Sequence, residues 1–125
     1  MSQPINQPSA NLATLPAIRE IMDRSAKIAE ICQHNQVARL ELFGSAVTTA
    51  FDPATSDLDF LVEFSTDIPE GASERFFGLK QGLSEILGRS IDLIEVNTIQ
   101  NPYFLRAISN NRLTIYGNRN PEVSV

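Results

Sequence analysis

The segment Asp57-Leu58-Asp59-Phe60-Leu61-Val62-Glu63-Phe64 constrains the fold more than any other stretch of the chain. Side chains of a strand alternate between its two faces. Leu58, Phe60, Val62 and Phe64 therefore form one apolar face, and Asp57, Asp59, Leu61 and Glu63 lie on the other. The first face requires a covering layer. On the second, an acid placed within an apolar run is expensive to desolvate without a partner.

A second strand is expected at Val37 to Phe43, where Ala38, Leu40 and Leu42 alternate with Arg39 and Glu41, and it ends at Gly44-Ser45. The run Ala46 to Thr55 is a connection able to open with a helical turn, and Asp52-Pro53 marks a turn. Upstream, Ile18, Ile21, Met22, Ile28, Ala29 and Cys32 recur at helical spacing from Leu15 to about Gln33. Thr14 is placed to cap that helix, and Pro16 is acceptable in its first turn.

Downstream, Thr66 to Gly71 reads as an exposed loop. Ser73 is the expected cap of a helix through Leu87, with Phe76, Leu79, Leu83, Ile86 and Leu87 on its apolar face and Gly88 at its end. Gly78 and Gly82 inside this helix each cost roughly 1 kcal/mol relative to Ala, so close packing against another element is expected there. Ile91 to Val96 is a third strand, apolar on both faces apart from Asp92 and Glu95, as inside a covered sheet. Asn101-Pro102 opens a short helix through about Ile108, and Leu113, Ile115 and Tyr116 suit a short edge strand.

This order of elements predicts an α/β protein with one mixed sheet packed by helices. With 125 residues the chain suffices for one core, expected over 13–117. Residues 1–12 and 118–125 read as polar tails. No apolar run approaches the roughly 18 residues of a membrane helix, and the first dozen residues do not resemble a secretory signal. Cys32 is the only cysteine, which excludes an internal disulfide and a cysteine-based zinc cluster. Its place on the apolar helix face suits a buried thiol, and the cytoplasm is the expected compartment.

The formal net charge is −5, and its distribution matters more than its total. No Lys or Arg occurs between Arg39 and Arg75, an interval with eight acids: Glu41, Asp52, Asp57, Asp59, Glu63, Asp67, Glu70 and Glu74. Extensive nucleic-acid binding needs a basic surface that this stretch lacks. A polyanion bound here would need a cation as intermediary.

Asp57 and Asp59, two apart in a strand, leave the same face with Cα atoms roughly 7 Å apart. Taken alone, Asp57 also fits a solvated turn residue. Asp59, flanked by Leu58, Phe60 and Leu61, does not. Asp92 repeats the situation one residue after Ile91, and a strand lying beside Asp57 to Phe64 would bring it near the other two. Three gathered carboxylates repel one another and have raised pKa values unless a cation intervenes. Mg²⁺ prefers oxygen ligands and suits two or three carboxylates together with phosphate oxygens. Unrelated surface acids are the competing reading. The Gly44-Ser45 turn offers backbone N–H groups and a hydroxyl to phosphate oxygens, although such a pair alone is usually only a turn.

Leu42-Phe43-Gly44-Ser45, followed by Ser56-Asp57-Leu58-Asp59-Phe60-Leu61-Val62, resembles the signature of the polymerase-β-like nucleotidyltransferase superfamily. The minimal nucleotidyltransferase (MNT) branch, which includes antitoxins of HEPN/MNT toxin–antitoxin pairs, is the most similar. The similarity runs on through Leu87-Gly88-Arg89, Ile91-Asp92-Leu93-Ile94, Asn101-Pro102 and Ile115-Tyr116. It implies that Gly44 and Ser45 contact the triphosphate of ATP. It further implies that Asp57 and Asp59 bind catalytic Mg²⁺, with Mn²⁺ as a substitute, and that Asp92 is the third carboxylate and metal ligand. The implied reaction transfers AMP to a hydroxyl of a protein partner, such as a tyrosine of a HEPN-type toxin. The loop Ala46-Val47-Thr48-Thr49-Ala50 departs from the family, which commonly carries an arginine and a glycine there. An antitoxin that neutralises its partner by binding alone is therefore a rival reading, and transfer to RNA or a small molecule is another. An exposed helix face could also serve a homo-oligomer. His34 suits a helix C-terminus, Phe76, Phe77 and Phe104 suit the core, and Tyr103 and Tyr116 are left open.

Overall fold

The computed structural model describes residues 14–96 and 112–117. The expected tails and the expected helix from Asn101, with Tyr103 and Phe104, lie outside them. The described elements are α1 (Pro16–Asp23), α2 (Ser25–His34), β1 (Val37–Phe43), a 3₁₀ turn (Gly44–Val47), β2 (Leu58–Phe64), α3 (Ala72–Leu87), β3 (Ile91–Glu95) and β4 (Arg112–Tyr116). The sheet order is β3-β2-β1-β4. β1 runs antiparallel to both β2 and β4, whereas β2 and β3 are parallel. The mixed α/β sheet expected from the sequence is the one observed.

One face of the sheet meets all three helices. Leu40, Leu42, Leu58, Phe60, Val62, Ile91, Leu93, Leu113 and Ile115 pack with Ile18 and Ile21 of α1, Ile28 and Cys32 of α2, and Leu79, Leu83 and Leu87 of α3. Burial pushes the Cys32 thiol up to about 12, so it stays protonated inside the core. The alternation that predicted β1 and β2 thus selects the face the helices cover.

Several local expectations are corrected. The first helix is two: Arg24 leaves helical geometry at φ −116°, its N–H turning back to Ile21 and Met22 carbonyls. Ile21 and Ile28 are seven residues apart, a spacing that a continuous helix and a broken one satisfy equally, so periodicity did not reveal the break. Leu15, in extended geometry before Pro16, takes the N-cap position in place of Thr14. Gly71 likewise takes the N-cap of α3 in left-handed geometry, leaving Ser73 inside the first turn. Phe77 is 60% exposed, because only one side of α3 reaches the sheet and Leu79, Leu83 and Leu87 occupy it. Phe76 packs at the core margin as expected.

β3 lies at the end of the described sheet order and not inside it. Its two apolar faces have another cause. Ile94 joins Phe43, Leu61 and Val96 in a second, small cluster on the face away from the helices. That face, expected to carry the acids, is therefore partly apolar.

The close packing expected at the helix glycines is found between α2 and α3. A Cβ on Gly82 would stand 2.6 Å from Cγ1 and 2.7 Å from Cδ1 of Ile31. Gly82→Ala gains about 1 kcal/mol of helix propensity, but overpacking typically costs about 1–3 kcal/mol and here opposes the branch of Ile31 itself. Net destabilisation is expected, read as a lower urea midpoint, with partial recovery in the Gly82→Ala/Ile31→Val double variant. An unchanged midpoint would show that the two helices separate freely.

Candidate active site

Strand register places two of the three acids side by side. β2 and β3 pair in parallel with Asp59 opposite Asp92, so both side chains leave the sheet on the same face, away from the helices. Asp57 sits one residue before β2 and is exposed. The adjacent Leu58 N–H donates to the Ser90 carbonyl at 3.1 Å, which anchors the start of β2 beside the start of β3. Asp57 is thus a loop residue at the mouth of the strand, not a strand residue as expected.

Asp59 is the half-buried member. Its carboxyl lies above its ordinary value, first because burial removes solvent from the charged form and then because the charges of Asp92 and Asp57 oppose its own. Both neighbours thus act electrostatically on Asp59. Even so, among the described residues no three acidic, histidine or cysteine side chains are gathered tightly enough to form a ready metal cage. The donor set is all oxygen and carries excess negative charge, so the residues present fit a hard divalent cation.

Gly44 joins this centre to the turn. It adopts φ +77°, and a Cβ there would come within 2.5 Å of Asp59 Oδ2. Only glycine lets the backbone turn at this point while lying against the acid. The 3₁₀ turn follows, and the Ser45 carbonyl accepts from the N–H of Thr48 at 2.9 Å and from its hydroxyl at 2.8 Å. Gly44 and Ser45 are therefore set in a braced turn directly against the half-buried acid.

Sequence reasoning assigned no role to Arg89, yet it organises this end of the sheet. Its Nη2 and Nε donate to the Glu20 carboxylate of α1 at 2.8 and 3.3 Å. Nη1 donates to the carbonyls of Pro53 and Ser56 at 2.9 and 3.3 Å. The guanidinium also lies over the Phe51 ring, 5.2 Å from its centroid. One side chain thus ties α1 and the loop before Asp57 to the start of β3. Glu41 was missed as well: it is buried on the acid face between Arg39 and Arg112. The pairings of Arg89 with Glu20 and of Arg112 with Glu41 join elements far apart in the chain, so no local motif announces them.

A profile of the nucleotidyltransferase domain matches residues 25–115, an interval containing the turn and all three acids. The chain belongs to the nucleotidyltransferase family. Among its relatives, a Methanocaldococcus jannaschii protein named as a candidate protein adenylyltransferase is 31% identical over 104 residues, 83% of this chain and 100% of the relative. A solved structure described as a candidate minimal nucleotidyltransferase superposes with a TM-score of 0.62 at 22% identity, covering 81% of this chain and 97% of the other. A chain from the complex of tri-AMPylated Shewanella oneidensis HEPN toxin with MNT antitoxin gives 0.57 at 17% identity, covering 84% and 78%. The structural likenesses establish a shared nucleotidyltransferase fold. Among the described residues no helix is long and apolar enough to cross a membrane.

Proposed function

We propose that this nucleotidyltransferase transfers AMP from ATP to a hydroxyl of a protein partner, with Mg²⁺ as cofactor, and thereby acts as an antitoxin. The observation that carries the reading is the half-buried Asp59, opposite Asp92 in register, under the charge of Asp57 and against the Gly44 turn. The name of the Methanocaldococcus relative supports a protein as acceptor, and the AMPylated toxin beside an MNT antitoxin supports a HEPN-type toxin tyrosine.

In this reading Asp57 and Asp59 hold Mg²⁺ (or Mn²⁺) together with triphosphate oxygens, and Asp92 completes the acidic set. The bound ion would neutralise charge on the phosphates and make the acceptor hydroxyl more acidic. Gly44 and Ser45 present backbone N–H groups and a hydroxyl to the triphosphate. Asp92, exposed at the edge of the described strands, accepts the acceptor's proton or orients its oxygen. The acceptor oxygen bonds to the α-phosphorus as the bond from that phosphorus to the bridging oxygen breaks, releasing pyrophosphate.

The test is label transfer from α-labelled ATP into proteins and RNAs of a lysate containing the native partner. It compares the chain with Asp57→Asn and with a reaction lacking divalent metal. A labelled protein band requiring both Asp57 and metal is the expected result. No labelled species, with the partner present and still bound, would overturn the catalytic reading in favour of neutralisation by binding. A labelled RNA would move the acceptor to nucleic acid.

A further inference from the structure

If the face bearing Asp57, Asp59 and Asp92 receives a triphosphate, positive charge must come from somewhere other than the adjoining turn and loop, since no Lys or Arg lies between Arg39 and Arg75. Register supplies it from the other side of β1. Phe43, immediately before Gly44, pairs with Asp59 on β2 and with Arg112 on β4. Directly paired residues share a face. One row across the sheet therefore reads Asp92, Asp59, Phe43, Arg112, with the Gly44-Ser45 turn leaving from its middle. At about 4.8 Å per strand, the Asp59 and Arg112 backbones lie roughly 10 Å apart, a span matching an extended triphosphate.

The Arg112 side chain is 25% exposed, and its Nη1 stands 3.4 Å from Glu41 Oε1. The Glu41 side chain is only 8% exposed, and its Oε2 accepts from the Thr114 hydroxyl at 3.0 Å. Among the described residues Oε1 accepts no hydrogen bond, so the contact with Arg112 is an ion pair without an aligned N–H. Glu41 is held by Thr114, and the partly exposed Arg112 guanidinium lies beside it. Arg39, the other arginine on this face among the described residues, is differently placed. It lies four residues before Phe43, and its Nη2 is held by Glu63 at 2.9 Å.

We infer that Arg112 is the phosphate-contacting cation of the nucleotide site and that Glu41 is the residue that positions it. The inference rests on the nucleotidyl-transfer reading above. Since the α-phosphorus belongs at the acidic end of the row, Arg112 at the other end meets the terminal phosphates that leave as pyrophosphate. A guanidinium there offers charge-assisted, bidentate contact that an ammonium does not.

The experiment is calorimetric titration of the full chain with Mg·ATP and with AMP, for wild type, Arg112→Gln and Arg112→Lys, alongside melting curves. Arg112→Gln is expected to weaken Mg·ATP binding about tenfold, the value of one charge-assisted contact, with AMP affinity changed less than about twofold and Arg112→Lys intermediate. Equal Mg·ATP affinity in wild type and Arg112→Gln, or equal losses for Mg·ATP and AMP, would overturn the assignment to Arg112 and leave transfer itself intact. Failure of the wild-type chain to bind Mg·ATP would overturn both. Should Arg112→Gln not fold, Arg112→Lys decides: a loss for Mg·ATP exceeding that for AMP supports the assignment, and equal losses overturn it.

Discussion

Asp59→Asn is expected to abolish nucleotidyl transfer while raising the melting temperature of the metal-free protein at neutral pH. A carboxylate that holds the ion at the reacting phosphate contributes several kcal/mol to the transition state, so its loss should lower the rate on the order of 10³-fold, equivalent to about 4 kcal/mol. Stability should move the other way. Asp59 is desolvated and faces the charges of Asp92 and Asp57, which raises its folded-state pKa. An acid with a raised folded-state value binds protons more tightly folded than unfolded. Stability is therefore full below the ordinary carboxylate value, falls as pH rises through the window up to the raised value, and stays reduced above it. Asn carries no charge at any of these pH values, so the variant escapes the loss. Asp59 is only half-buried, and solvent screening keeps the gain to a few degrees.

Melting curves in EDTA should converge for the two proteins in acid and separate above the window, with the variant higher. Adding Mg·ATP should reverse the order, because ligand binding stabilises only the chain that binds it. A variant that retains transfer would remove Asp59 from the chemistry. A variant less stable than wild type at neutral pH would mean that the carboxylate has a favourable partner that outweighs its burial and the neighbouring charges.

Arg89→Ala should produce the largest loss of stability among single substitutions outside the core. It removes the charge-assisted pair to Glu20, the bonds to the Pro53 and Ser56 carbonyls, and the contact with the Phe51 ring. The Arg89 side chain is 15% exposed and that of Glu20 is 28% exposed, so the pair is partly buried. Breaking a buried pair costs about 3–5 kcal/mol, and this exposure places the expected loss near the lower end, about 3 kcal/mol. Arg89→Lys keeps the charge but not the fork, and should recover only part.

Function should suffer too. The freed carbonyls belong to the loop that delivers Asp57, and misplacing a reacting group by an ångström can cost on the order of 10²-fold. Urea unfolding reads the first effect and label transfer the second. A cycle with Glu20→Gln isolates the pairwise term, since the two residues are in direct contact. A loss of under about 0.5 kcal/mol, the range of an ordinary surface change, would show that the loop and α1 hold their places without this arginine.

The corrections share a pattern. Alternation over Val37–Phe43 and Leu58–Phe64 reports which side chains face a covering layer, and it placed both strands to within a residue. Helical spacing reports the same for a helix, but it is blind to a break that preserves phase, as at Arg24. Cap residues are chosen by backbone geometry, and a left-handed Gly71 displaced Ser73. Phe77 is exposed because apolar character says what a residue tolerates, not which side of the helix the sheet will occupy.

By itself the sequence determined the strands, the glycine turn, the lack of nearby positive charge and the candidacy of Asp57, Asp59 and Asp92. These are properties of residues within a few positions of one another, where the periods of strand and helix relate spacing directly to direction. Only the tertiary structure decided that β2 and β3 pair in parallel with Asp59 opposite Asp92, that Asp59 lies against Gly44, that Arg89 binds Glu20 and the loop before Asp57, and that Arg112 reaches the row of Asp59 from β4. Register between strands is set by how whole faces pack against the helices, and an ion pair between Glu20 and Arg89 depends on where two separate elements come to rest. Neither is encoded at any single position, so the acids could be named from the sequence while their arrangement required the fold.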